Sequence, residues 1–234
     1  MKKSYIDLDT SLYKAFIIYA YLIVIIVVLL YKYPGLVDYQ KQQDITEQQQ
    51  SHSEYIAGGY LKDKELFPLN NMYFPLAVGE QLEENIYYYD TYGGERTYGG
   101  NRSHEGCDIM TYNNLRGEFP VVSICDGIIE KTGWLELGGY RVGIRSETGI
   151  YYYYAHLYRY EEGIAEGTKV HAGQVIGYIG DTGYSKVEGT TGNFDVHLHF
   201  GIYLTDKNGN EYTVNPYPML KKLENNVINY YFKN

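Results

Sequence analysis

From Leu66 onward the apolar residues of this chain come in short runs: PVVSICDG, IIEKTGW, YRVGIRS, IYYYYAHL, QVIGYIG and FDVHLHFGIYL. Each run is closed by glycine or by a cluster of Asn, Asp and Ser. Segments of that length, recurring every 8 to 12 residues or so, read as strands joined by turns. Composition agrees, since 30 Tyr and 26 Gly against 6 Pro favour strands with glycine turns over helices. The expectation is an all-β sandwich or barrel, with a brief helical possibility around Pro216 to Leu223. In EGTKVHAGQVIGYIGDTG, Gly167 and Gly173 are expected to bracket a β-hairpin.

The N-terminus follows a different pattern. Between Lys14 and Lys32 the seventeen residues AFIIYAYLIVIIVVLLY carry no charge. At 1.5 Å per residue they span about 26 Å, the short end of what crosses a bilayer, and Leu12, Tyr13 and Tyr33 extend them into the interfaces. The segment is apolar on every side, unlike a core helix with a solvent face. YKYPGLVDYQ follows it without the small residues of a cleavage site, so an uncleaved anchor is expected. Lysines before the span put the N-terminus in the cytoplasm and the remainder outside the cell membrane. The expected organisation is a short cytoplasmic segment (1–14), a transmembrane anchor (15–31), a glutamine-rich stalk (32–60), a folded domain (61–225) and a tail (226–234). The formal net charge is −9, and the acidic excess lies beyond the first 33 residues. That argues against a nucleic-acid partner held through phosphates.

Among six histidines, four stand in strand-like, glycine-flanked segments. His104 and Asp108 are four apart in NRSHEGCDIM, His197 and His199 two apart in FDVHLHF, and His156 ends YYYYAHL. On strands, even spacing projects side chains to one face. One face can thus gather imidazoles and a carboxylate. Two imidazole nitrogens and a carboxylate oxygen at about 2.0 to 2.2 Å, with water in the fourth position, make an open zinc site of the catalytic kind.

With these motifs in order, the chain resembles the lysostaphin and LytM type of zinc metallopeptidases, which cut peptidoglycan peptides. The resemblance covers about residues 85 to 218: YGGNRSHEGCDIM, PVVSICDGIIEKTGW, GGYRVGI, YYYYAHL, EGTKVHAGQVIGYIGDTG, DVHLHFGIY and VNPY. It implies a duplicated hybrid motif, an antiparallel β barrel-sandwich. It also implies Zn²⁺ as the cofactor, with His104, Asp108 and His199 as ligands. His156 and His197 become the catalytic pair, and Tyr98 the tyrosine beside the substrate carbonyl. His197 is the expected general base because it shares a strand with a ligand; His156 would orient or donate to the oxyanion. Asp195 and Val196 replace the small residue and proline usual before the paired histidines, and the loop TGYSKVEGTTGN is long. Both departures alter the groove wall.

The other conspicuous residues read less specifically. Asp195 shares parity with His197 and His199, so it either orients an imidazole or is an exposed strand-end carboxylate. Cys107 and Cys125 either pair as a disulfide or remain free and buried. In IYYYYAH, alternation puts Tyr152, Tyr154 and His156 on one face and Tyr151, Tyr153 and Ala155 on the other. Most tyrosines, with Trp134 and Tyr140, are expected to pack strands.

The functional expectation is a membrane-anchored zinc metalloendopeptidase acting on peptidoglycan cross-bridges or stem peptides outside the cell. Two alternatives compete with it. One is a zinc-bound, non-hydrolytic scaffold of the envelope. The other is a biotinyl or lipoyl carrier, which EGTKVHAGQVIGYIG resembles, although Asp181, Thr182 and Gly183 stand where the modified lysine would be.

Overall fold

The structure, a computed structural model, describes residues 18–21, 71–78, 82–98 and 100–230. The expected cytoplasmic segment and stalk lie outside these residues, as does all of the anchor except 18–21, which is helical. Among the described residues no helix is long and apolar enough to cross a membrane. Chain contacts divide the protein into Met1–Gly59 and Tyr60–Asn234. Every described strand belongs to the second unit.

That unit is mostly β, and its strand ladders are all antiparallel. A short helix α1 (Leu82–Asn85) leads into β1 (Ile86–Tyr88). The hairpin β2 (Glu95–Arg96) and β3 (Arg102–Ser103) forms a two-stranded sheet. The main sheet then takes β4 (Cys107–Thr111), β6 (Gly127–Lys131), β7 (Trp134–Leu135), β8 (Gly139–Ser146), β9 (Tyr151–Leu157), β11 (Lys169–Val170), β13 (His197–Thr205) and β14 (Glu211–Val214). Its order is β1-β4-β13-β9-β8-β6-β11, with β14 beside β13 and β7 beside β8. A third sheet joins β10 (Arg159–Tyr160), β12 (Val175–Tyr178) and β5 (Pro120–Val122).

The nine-stranded sheet is open, running from β1 to β11 without closing on itself, so the expected barrel is not closed. The expected hairpin around Gly167 and Gly173 does not form either. β11 pairs with β6 in the main sheet, whereas β12 pairs with β5 and β10 in the small one. Local signals marked the turn correctly: Gly173 has φ of 80°, and Gln174 N–H donates to His171 O. The partners differ because Gly173 N–H donates to Ser123 O and Ser123 N–H to Gln174 O, which steers the chain out of the sheet it has just left.

Alternation along β13 builds the core on one face and the site on the other. Leu198, Phe200 and Ile202 are fully buried, and Phe200 packs against Tyr152 and Tyr154 of β9. The Tyr154 hydroxyl accepts the Ile124 N–H, so this interior phenol is satisfied. Helix α2 (Tyr217–Leu223) starts after Pro216 and buries Met219, Leu220 and Leu223.

Both cysteines are free. Cys107 faces away from the site and donates its thiol to Tyr89 O. Burial, then nearby carboxylates, push both thiols up to about 12, so they are protonated at neutral pH.

Candidate metal centre and catalytic groove

Strand register brings the first two proposed ligands together. His199 on β13 is the direct cross-strand partner of Asp108 on β4, and its other neighbour is Ala155 on β9. His104 precedes β4 in the turn from β3, where its N–H and C=O are tied to Gly94 and Gly93. Three donor atoms converge: His104 Nε2 is 3.0 Å from Asp108 Oδ1 and 3.0 Å from His199 Nδ1, which is 2.9 Å from Asp108 Oδ1.

Protonation shows what this triangle requires. His104 Nδ1 lies 2.8 Å from Thr91 O, a pure acceptor, so Nδ1 carries a hydrogen and Nε2 is the nitrogen turned towards the cluster. His199 is a neutral imidazole at neutral pH, because burial and the neighbouring imidazoles outweigh the opposing pull of Asp108. Burial alone would raise Asp108, but hydrogen bonds to His104 and His199 hold its carboxyl far below the usual carboxylate range. Two ring nitrogens and an anionic oxygen thus lie within 3.0 Å of one another, an arrangement that a divalent cation satisfies. A tetrahedral site with bonds of about 2.0–2.1 Å has ligand edges of about 3.3 Å, a few tenths above those seen here. The donor set of two imidazoles and one carboxylate fits zinc, and among the described residues it is the group able to hold a metal ion.

Two more imidazoles flank the cluster. The rings of His156 and His197 lie 4.7 Å apart, and His197 Nε2 is 3.9 Å from Asp108 Oδ1. Each is held by a backbone carbonyl: His197 Nδ1 donates to Asp195 O at 2.7 Å and His156 Nδ1 to Thr182 O at 2.8 Å. Both therefore leave Nε2 as the unprotonated nitrogen when neutral. Burial and the adjacent imidazoles keep His156 neutral well below its ordinary pKa.

His156 reaches the site by breaking the alternation expected of its strand. Tyr152 and Tyr154 point into the core, whereas His156 lines the same groove as Tyr151, Tyr153 and Ala155. Between the pairs Tyr140↔Leu157 and Val142↔Tyr154, β9 carries one residue more than β8. That extra residue is accommodated by a bulge in which His156 takes φ of 63°, a left-handed conformation costing about 1–3 kcal/mol for a residue with a side chain. His156 N–H to Gly138 O and the Nδ1 bond to Thr182 O hold it there. Thr182 is itself fixed, donating its hydroxyl to Leu157 O and accepting Tyr140 N–H.

Asp195 does not orient His197 through its carboxylate. It is exposed and accepts from Asn114 Nδ2; its backbone oxygen holds the imidazole instead. Tyr98 stacks on Tyr184 with ring centroids 4.4 Å apart, and its hydroxyl donates to Tyr184 O. Tyr184 rather than Tyr98 lines the groove, edge-on to His156 at 5.9 Å.

Three site residues carry no signal in the sequence. Arg96 Nη2 donates to Asp108 Oδ2 at 2.5 Å, fixing the carboxylate whose other oxygen faces the histidines. Phe194 packs edge-on against His156, centroids 4.6 Å apart. Gly106 lies under His199: a Cβ there would sit 2.5 Å from Phe200 O and 2.8 Å from His199 Nε2. No spacing rule singles out an arginine in ERTYGG, and a glycine before a strand looks like any turn. Gly106→Ala is expected to displace the His199 ring and lower metal affinity about 10–100-fold, as loss of an outer support does, read by competition with a chromogenic chelator.

The groove around these groups has a volume of about 460 Å³. Its floor is the sheet face carrying Tyr151, Tyr153, His197, His199 and Tyr203, with charged residues towards β6 and β14.

Residues 102–216 match the sequence profile of peptidase family M23. The L-Ala–D-Glu endopeptidase of Bacillus subtilis (strain 168) is 42% identical over 151 residues, covering 64% of this chain and 43% of that protein. The glycyl-glycine endopeptidase ALE-1 of Staphylococcus capitis is 34% identical over 125 residues, 53% of this chain and 30% of that protein. A crystal structure of a Ruminococcus gnavus chain, named by inference a glycyl-glycine endopeptidase of the LytM type, shares 49% identity with a TM-score of 0.63. That match covers 70% of this chain and 65% of the other. The chain spans less than half the length of these curated relatives.

Proposed function

We propose, from the premise that this chain carries a peptidase family M23 domain over residues 102–216, that it is a zinc metalloendopeptidase hydrolysing peptide bonds in peptidoglycan cross-bridges or stem peptides. The bond named for the Bacillus relative, between L-Ala and D-Glu, is one candidate. The observation that carries the proposal is the convergence of His104 Nε2, Asp108 Oδ1 and His199 Nδ1 to 2.9–3.0 Å of one another, beside two carbonyl-held imidazoles.

These three residues would hold Zn²⁺, which supplies Lewis acidity to the attacking water and the scissile carbonyl. His197, oriented by Asp195 O, takes the water's proton at Nε2 and returns one to the leaving amine. His156, pinned in its bulge with Nδ1–H on Thr182 O, presents its unprotonated Nε2 to the groove and orients the reactants by accepting a hydrogen bond from them. The resemblance gives Tyr98 a part in holding that oxyanion. Its hydroxyl would have to leave Tyr184 O to do so.

The uncharged stretch between Lys14 and Lys32 supports an anchor at residues 15–31 with the catalytic domain extracytoplasmic. A scaffold without activity is disfavoured because the three expected ligand positions and both expected catalytic histidine positions are filled. Purified, zinc-loaded chain incubated with cell wall is expected to release peptides whose masses identify one bond type, and His199→Ala to release none. Intact wall after prolonged incubation would refute the hydrolase.

A further inference from the structure

The groove holds a cation that the proposed hydrolysis does not use. Arg96 is paired with Asp108, and Arg145 with both Glu130 and Glu211. Arg102 directs its N–H groups to Tyr98 O and the Tyr184 hydroxyl, and Lys131 is exposed to water. Arg141 differs from all of them. It lines the groove and is half-buried, and among the described residues its Nη1, itself shut off from solvent, has no hydrogen-bond partner.

The carboxylates that share the groove with Arg141 are engaged by other residues, Glu130 and Glu211 by Arg145 and Glu105 by the Tyr203 hydroxyl. The charge of Arg141 acts on the phenols of Tyr151, Tyr153 and Tyr160, pulling each towards lower pKa, but burial dominates and keeps all three above the usual tyrosine value. They are neutral at any pH near 7. A guanidinium is never neutral in a protein, and a buried N–H left unpaired is costly. Its planar fork suits a carboxylate best.

Position defines which carboxylate. Ala155 pairs with His199, and Arg141 stands on β8 opposite the bulge formed at Ala155 and His156. Two strand spacings, or about 10 Å of backbone separation, therefore lie between Arg141 and the proposed metal ligand. The arginine's own length shortens that gap to about one or two residues of extended peptide.

We infer that Arg141 receives a free carboxylate of the substrate peptide, borne by the residue next to the scissile bond or the one beyond it. Resting on the proposed peptidase function, this makes the groove selective for an acidic stem peptide over its amidated form and over neutral polyglycine.

The test uses the full chain, zinc-loaded in detergent. Three probes are compared: the C-terminally amidated peptide L-Ala-γ-D-Glu-L-Lys-D-Ala, its counterpart with the D-Glu α-carboxylate converted to carboxamide, and pentaglycine. The wild-type chain is expected to prefer the carboxylate in kcat/KM by about 10–100-fold, the scale of one charge-assisted hydrogen bond. Arg141→Gln brings that ratio close to one, and Arg141→Lys, keeping charge without the fork, restores part of it. A purely structural role for Arg141 would lower both rates and leave the ratio intact, which overturns the inference. So does a wild-type ratio near one, or cleavage of pentaglycine alone; these two outcomes leave the peptidase standing. Cleavage of none of the three overturns the peptidase function and this selectivity together.

Discussion

His197→Ala is expected to lower peptide hydrolysis by about 10²–10⁴-fold, the usual contribution of a positioned general base, while zinc stays near one per chain. The side chain touches no ligand through a bond that the metal needs: its Nδ1 is on Asp195 O and its Nε2 is 3.9 Å from Asp108 Oδ1. Elemental analysis and rate, measured on the same sample, separate the base from the ligands. Loss of zinc in parallel with activity would reassign His197 to the metal shell. Retained activity would transfer the role of base to His156.

Asp108→Ala should behave in the opposite way, losing metal and activity together. The carboxylate is the one anion in the triangle, and it also neutralises Arg96 at 2.5 Å. Its removal leaves two imidazoles facing an uncompensated guanidinium, which repels any incoming cation. The loss of affinity should exceed the about 10–100-fold that results from removing an outer partner. Asp108→Asn keeps an oxygen but not the charge and should recover little. Zinc titration by calorimetry checks both variants, and stoichiometric zinc in Asp108→Ala would exclude this carboxylate as a ligand.

How far the sequence could be read differs from one residue to the next. Alternation along FDVHLHF correctly placed His197 and His199 on one face, because nothing interrupts β13 there and Leu198 and Phe200 are drawn into the core. Alternation along IYYYYAHL put His156 with Tyr152 and Tyr154. It failed because parity holds only while strands stay in register, and β9 gains a residue against β8 just before His156. A bulge depends on what the neighbouring strand offers, here Gly138 O and a Thr182 carbonyl 26 residues away. The hairpin expected in EGTKVHAGQVIGYIG failed for a related reason. Its turn is local, but the choice of partner is not: β6 and β5 compete for the two arms from elsewhere in the chain.

The sequence by itself determined the kind of chemistry available and the kind of fold that could carry it. Short glycine-bounded runs exclude long helices from the region beyond Leu66, and evenly spaced His and Asp residues supply donors for a borderline cation. These are local properties, set by the two-residue period of a strand and by side-chain type. Only the tertiary structure decided which atoms meet: the His199–Asp108 pairing, the bulge that turns His156 to the groove, the Arg96 clamp on the carboxylate, and the unpartnered Nη1 of Arg141. Each depends on strand register and on segments far apart in the chain, and hydrogen-bond ladders between distant strands leave no periodicity in one dimension from which they could be read.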